Sequence, residues 1–155
     1  MLSRAPESSY HCVIVVEHLL SPTILAVASL EGNEYAWRPA HVEDAINDAR
    51  HRGLSTEGGQ AQFRLAGATC EPWLGWLDVD PSDRKLGETW TKWVHRSADE
   101  AIAKFRRRMA ETDWNAEIEH WKFLRERAAS GVDVMSNLYF VLYFEQDPLG
   151  GSPQG

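Results

Sequence analysis

The sequence predicts an α+β domain, a mostly antiparallel five-stranded sheet covered by an amphipathic helix and a helical hairpin. Three patterns carry that expectation. Residues 138–144 read Leu-Tyr-Phe-Val-Leu-Tyr-Phe, apolar on both alternating faces, as in a strand covered on each side. Behind Pro39, Val42, Ala45, Ile46 and Ala49 recur at helical spacing, with Glu43, Asp44, Asp48 and Arg50 on the opposite face. Strand-like and helix-like stretches come in blocks, giving the order β-β-α-β-β-α-α-β rather than the strict alternation of a parallel fold.

Taken in order, Val13, Val15 and Leu19 alternate with Ile14, Val16 and Leu20 in a first strand. Ser21–Pro22 turns the chain into a second apolar run, Thr23 to Leu30, so that the two form an antiparallel hairpin ended by Glu31-Gly32-Asn33. The helix begun at Pro39 stops at Gly53, and Ser55 to Gly59 reads as a loop. Gln62, Arg64 and Ala66 alternate with Ala61, Phe63 and Leu65 in a third, half-exposed strand. Gly67–Ala68 turns it toward a fourth strand, Trp73 to Val79, closed by Asp80–Pro81.

Residues 82–93 lack a clean period and read as a long irregular connection. Ser97-Ala-Asp-Glu100 has the spacing of a capping box opening a second helix, buried along Ala98, Ala101, Ile102, Phe105 and Met109. A third helix starts at Thr112–Asp113, buries Trp114, Ile118, Trp121, Leu124 and Ala128, and ends at Gly131. The strand 138–144 is too apolar for an exposed edge and belongs at the centre of the sheet. The domain spans 1–146. Residues 147–155, with two prolines and three glycines, are expected to be a flexible tail.

The 155 residues are 43% hydrophobic and 25% charged, an ordinary globular composition. No apolar run approaches the roughly 18–20 residues of a membrane span, and residues 1–10 lack the apolar core of a signal peptide, so a cytoplasmic location is expected. Cys12 and Cys70, without a C-x-x-C spacing, then fit reduced thiols better than a disulfide. The net charge is −7, distributed as −6 over residues 1–90, +2 over 91–130 and −3 over 131–155. An acidic body repels nucleic-acid backbones and suits a basic protein partner.

Six of the seven tryptophans lie between Trp73 and Trp121. Trp114 and Trp121 share a helix face. Trp73, Trp76, Trp90 and Trp93 stand in segments interrupted by Pro72, Gly75, Pro81 and Gly87, so they are the candidates for a partner or ligand surface. Asp78, Asp80, His95 and Arg96 are the polar candidates for the same surface.

Catalytic and metal motifs are absent or incomplete. Glu117-x-x-His120 is half of a helical metal motif without its second copy, and reads as a solvated pair. Asp78-x-Asp80-x-Ser82-Asp83 starts like a calcium loop, but Asp83 stands where glycine is needed and Thr89 where glutamate is needed. Glu17 and His18 are adjacent and would face opposite sides of a strand. Lys104 and Arg106 to Arg108 form the one basic cluster, placed to complement a helix dipole. No nucleophile elbow or glycine-rich phosphate loop occurs.

These observations point to a non-enzymatic, bacterial-type protein-binding module without cofactor or metal, of the immunity, antitoxin or inhibitor kind. The rival expectation is a small enzyme or ligand-binding domain with a tryptophan-lined pocket and His95, Arg96 or Asp78 as its polar groups.

Overall fold

The computed structural model describes residues 16–70 and 78–149, and the predicted strand residues Val13 and Val15 lie outside that range. Five antiparallel strands form one sheet: β1 (Ser29–Glu31), β2 (Glu34–Trp37), β3 (Ser55–Leu65), β4 (Ala68–Cys70) and β5 (Leu138–Glu145). Their spatial order is β1-β2-β5-β3-β4, so the most apolar strand is the middle one, as its composition requires. The helices are α1 (Pro22–Ala26), α2 (Pro39–His51), α3 (Trp90–Glu111), α4 (Trp114–His120) and α5 (Lys122–Ala129). The whole is a single α+β domain. Among the described residues no helix is long and apolar enough to cross a membrane.

One face of the sheet carries the core. Trp37, Phe63, Leu138, Phe140 and Leu142 are buried there under Val42, Ala45, Ile46 and Ala49 of α2 and Ala98, Ala101, Ile102 and Phe105 of α3. Phe105 meets Phe140 edge-on at 5.1 Å between ring centroids, the geometry that aromatic quadrupoles favour.

Several elements differ from the sequence expectation, each for a local reason. Val16–Leu19 is a 3₁₀ turn, and Ser21–Pro22 opens the short helix α1. Ser21 Oγ accepts from the Ile24 amide at 3.4 Å and proline takes the first helical turn, so a capping signal prevails over apolar alternation. Of the second run only Ser29 and Leu30 are strand, and β1 extends to Glu31. Glu17 is buried, with its Oε1 accepting from the Phe144 amide at 3.3 Å, while His18 is exposed.

The expected loop 55–59 is the first half of β3. Glycine is needed there for close approach rather than for a turn: a Cβ on Gly59 would stand 2.2 Å from the Val141 carbonyl oxygen of β5. A bulge between Thr56 and Gly58 lets the strand bend. β3 is also buried on both faces rather than half-exposed, because the sheet curls over its second face.

Helix α3 begins at Trp90, two turns before the expected cap. Thr89 Oγ1 accepts from the Lys92 amide at 3.2 Å, while Ser97 is buried inside the helix, accepting from the Thr56 amide at 3.1 Å. The expected third helix is interrupted at Trp121, whose extended backbone divides α4 from α5.

Candidate functional site

The structure distributes the sequence-predicted site residues over the fold's own scaffolding. Trp73 and Trp76 lie outside the described residues. Trp93 is buried, its Nε1–H donating to Glu57 Oε1 at 3.3 Å. Trp90 is half-buried, donating to the Gly53 carbonyl at 2.8 Å with the Arg84 guanidinium over its ring. Asp80 Oδ1 accepts from the Gly59 amide at 3.0 Å, and Asp78 Oδ1 faces Lys104 Nζ at 3.6 Å. His95 is exposed on α3.

Arg96 is the hub of that region. It donates to both oxygens of Glu88 at 2.7 Å each, to Glu100, to the Ser82 hydroxyl and to the Asp83 carbonyl, and it covers the Trp93 ring. These bonds fasten residues 82–88 onto α3. Arg96 hydrogen bonds lower the Glu88 pKa from 4.5 to about 2. A depressed carboxylate contributes stability that is full above pH 4.5 and declines as the pH falls toward 2. Urea midpoints measured between pH 6 and about 2.5 are therefore expected to drop less in Glu88→Gln than in the parent protein; parallel slopes would remove the role given to this pair.

The basic cluster is also engaged in the fold. Arg106 pairs with Glu43, and Arg108 donates to the Asp78 carbonyl at 3.1 Å. Glu117 accepts from the Trp121 indole at 3.4 Å, and His120 is exposed. Among the described residues no group of three or more His, Cys, Asp or Glu is arranged to hold a metal.

The concave face of the sheet, opposite α2 and α3, holds a different constellation. Antiparallel register aligns Glu31 with Glu34, and Arg64 with Thr69, on this one face. The sheet curls until its two edges meet through side chains. Thr69 Oγ1 on β4 donates to Glu31 Oε2 on β1 at 2.7 Å. Arg64 reaches across from β3: its Nε donates to Gln62 Oε1, its Nη1 to the Ser29 carbonyl and hydroxyl at 2.8 and 3.0 Å, and its Nη2 to the Glu34 carbonyl at 3.0 Å. Its side chain is only 3% exposed, and its nearest carboxylate, Glu31, is 3.7 Å away.

Over this plug lies an open cleft of about 490 Å³ lined by Glu31, Glu34, Gln62, Arg64 and Thr69. Tyr143, 40% exposed, donates its hydroxyl to Glu34 Oε2 beside it. In the sequence Glu31 reads as part of a turn and Arg64 as one of the alternating residues of a half-exposed strand, and Glu34 does not stand out. A signal was present: two glutamates flanking a two-residue turn are direct cross-strand partners, a like-charge arrangement that destabilises a hairpin. Compared with known protein families, curated proteins and solved structures, the chain matches none.

Proposed function

We propose that this chain is a non-enzymatic protein-binding module, acidic and of the immunity, antitoxin or inhibitor type, that masks a basic surface of its partner. The observation that carries the reading is the open cleft with Glu31 and Glu34 on its lining, in a chain of net charge −7. Charge of one sign steers a basic partner to the encounter, and an exposed aromatic ring beside the carboxylates supplies lasting contact. Of the expected tryptophan anchors, Trp93 is buried and Trp90 half-buried, while Trp73 and Trp76 lie outside the described residues; Tyr143 is an exposed aromatic group next to the acids.

The immobilised protein is expected to retain a basic protein from a lysate of its source cells at low salt and to release it as salt rises. Retention of nothing, or retention indifferent to salt, would contradict the reading, because screening at 1 M salt shortens the reach of charge to about 3 Å.

A second reading, a small ligand-binding domain or enzyme, draws on the cleft's volume, which lies in the range of small-molecule pockets. Against it, Arg96 and Asp78 are already taken up in contacts that hold the fold, and His95 stands exposed on α3.

A further inference from the structure

We propose that Glu17 is a proton-operated latch: carrying a proton, it holds the Val16–Leu19 turn on the end of β5, and when it ionises that hold loosens. The device is independent of how the acidic cleft is used.

The geometry begins with an amide that the sheet leaves over. β2 pairs with β5 at Ala36–Val141 and Trp37–Phe140, short of the end of β5. On the other side, Thr56 is the Cα partner of Phe144, but it sends its own amide to Ser97 Oγ at 3.1 Å. The Phe144 amide is buried and donates to Glu17 Oε1 at 3.3 Å. A carboxyl group thus stands where a neighbouring strand would offer a carbonyl, satisfying a donor that burial would otherwise strand.

Glu17 is also what fixes the turn. It is the buried residue of Val16–Leu19, at 9% exposure, while Leu19 is exposed and Val16 packs on the core only in part. An element with so few buried apolar contacts opens more easily than the strands beneath it.

The surroundings suit a neutral carboxyl. Burial pushes the Glu17 pKa above 4.5, against the lowering effect of its own amide, the Phe144 amide and His18. His18 is exposed on the same turn and in hydrogen-bond contact with the Tyr35 hydroxyl of β2 at 3.1 Å. On α2, Asp48 accepts from the Ser21 amide at 2.8 Å and is already paired with Arg52. On β5, Glu145 faces Glu57 of β3, and its pKa is raised by partial burial and by that neighbour. A raised carboxyl contributes stability that is full below pH 4.5 and is lost as the pH rises through its folded value, the reverse of Glu88. Once ionised, the carboxylate needs water, and lifting the turn from β5 admits it.

Hydrogen exchange of the full chain, followed by NMR between about pH 4 and 8, tests the latch through the ratio of protection at the Phe144 and Phe140 amides. The ratio removes the intrinsic pH dependence and any change in global stability. It is expected to fall at least about threefold as the pH rises above 4.5. In Glu17→Gln, whose side-chain oxygen still accepts but cannot ionise, the ratio is expected to stay constant. Glu145→Gln is expected to keep the fall. The ¹³Cδ shift of Glu17 in the parent protein needs no variant, and it is expected to titrate above 4.5 with the same midpoint as the ratio. A constant ratio in the parent, or a Glu17 midpoint at or below 4.5 or apart from that of the ratio, would overturn the proposal. A fall that persists in Glu17→Gln or disappears in Glu145→Gln would do the same, placing the titrating group elsewhere.

Discussion

Replacing Arg64 by alanine is expected to cost about 3–5 kcal/mol of folding stability, through lost hydrogen bonds from a charged donor and the void left by truncating a buried side chain. The side chain fills the inside of the curl and is all but excluded from solvent. It also ties β3 to both strands of the β1–β2 hairpin, through the Ser29 and Glu34 carbonyls. Removing it takes a charged donor away from those carbonyls and from Gln62 Oε1, and hydrogen bonds to charged groups contribute about 1.5–3 kcal/mol each. Arg64→Lys keeps the charge but replaces a planar fork by a point donor, so it is expected to recover less than half of the loss. Urea unfolding of the parent and both variants measures this. A cost below about 1 kcal/mol for alanine would mean that the curl is held by something other than Arg64.

The second large effect is expected at Gly59. The Cβ of alanine there would come within 2.2 Å of the Val141 carbonyl oxygen, 3.0 Å of Leu142 Cδ2 and 3.1 Å of Val79 Cγ2. The nearest of these is backbone of the central strand, which cannot turn aside as a flexible side chain can. Relief requires β3 to move off β5, and Gly59→Ala is expected to cost about 3 kcal/mol or more, at the upper end of overpacking effects. Gly67→Ala makes the comparison, because its added Cβ meets nothing and only its φ of +78° resists the change. About 1 kcal/mol is expected there, from backbone conformation alone. Equal losses at the two positions would show that Gly59 serves local backbone freedom rather than the approach of two strands.

The parts of the fold that were legible in the sequence are those in which one local signal and the tertiary environment agree. Strand 138–145 is apolar on alternate residues of both faces and lies in the middle of the sheet. Helix α2 has its proline at the start, its apolar stripe inward and Gly53 just beyond its end. Where two signals competed, the weaker was overvalued. Alternation around Val16–Leu20 concealed the Ser21–Pro22 cap, and Ser97–Glu100 resembled a helix start although Thr89 already provides one. Gly58 and Gly59 read as loop signals, whereas β3 uses glycine for a bulge and a close approach.

The candidate site was harder to read for a topological reason. Its residues come from β1, β2 and β3 with β4 closing the side, and β3 lies two strands away from β2 in the sheet. Only the curl carries Arg64 back to Ser29 and Glu34, and no spacing in the chain encodes that curl. The tryptophan-rich segment attracted attention by composition, yet the indoles of Trp90 and Trp93 donate inward to Gly53 and Glu57.

The claim that binding is directed to one acidic cleft, rather than spread over an acidic surface, is tested most directly by the partner's Kd for two single-charge variants at equal salt. Glu34→Gln alters the cleft, while Glu119→Gln removes the same charge from an exposed position on α4. A tenfold or greater weakening for Glu34→Gln, about 1.4 kcal/mol, with Glu119→Gln unchanged, is the predicted result. Equal changes for the two variants would contradict it.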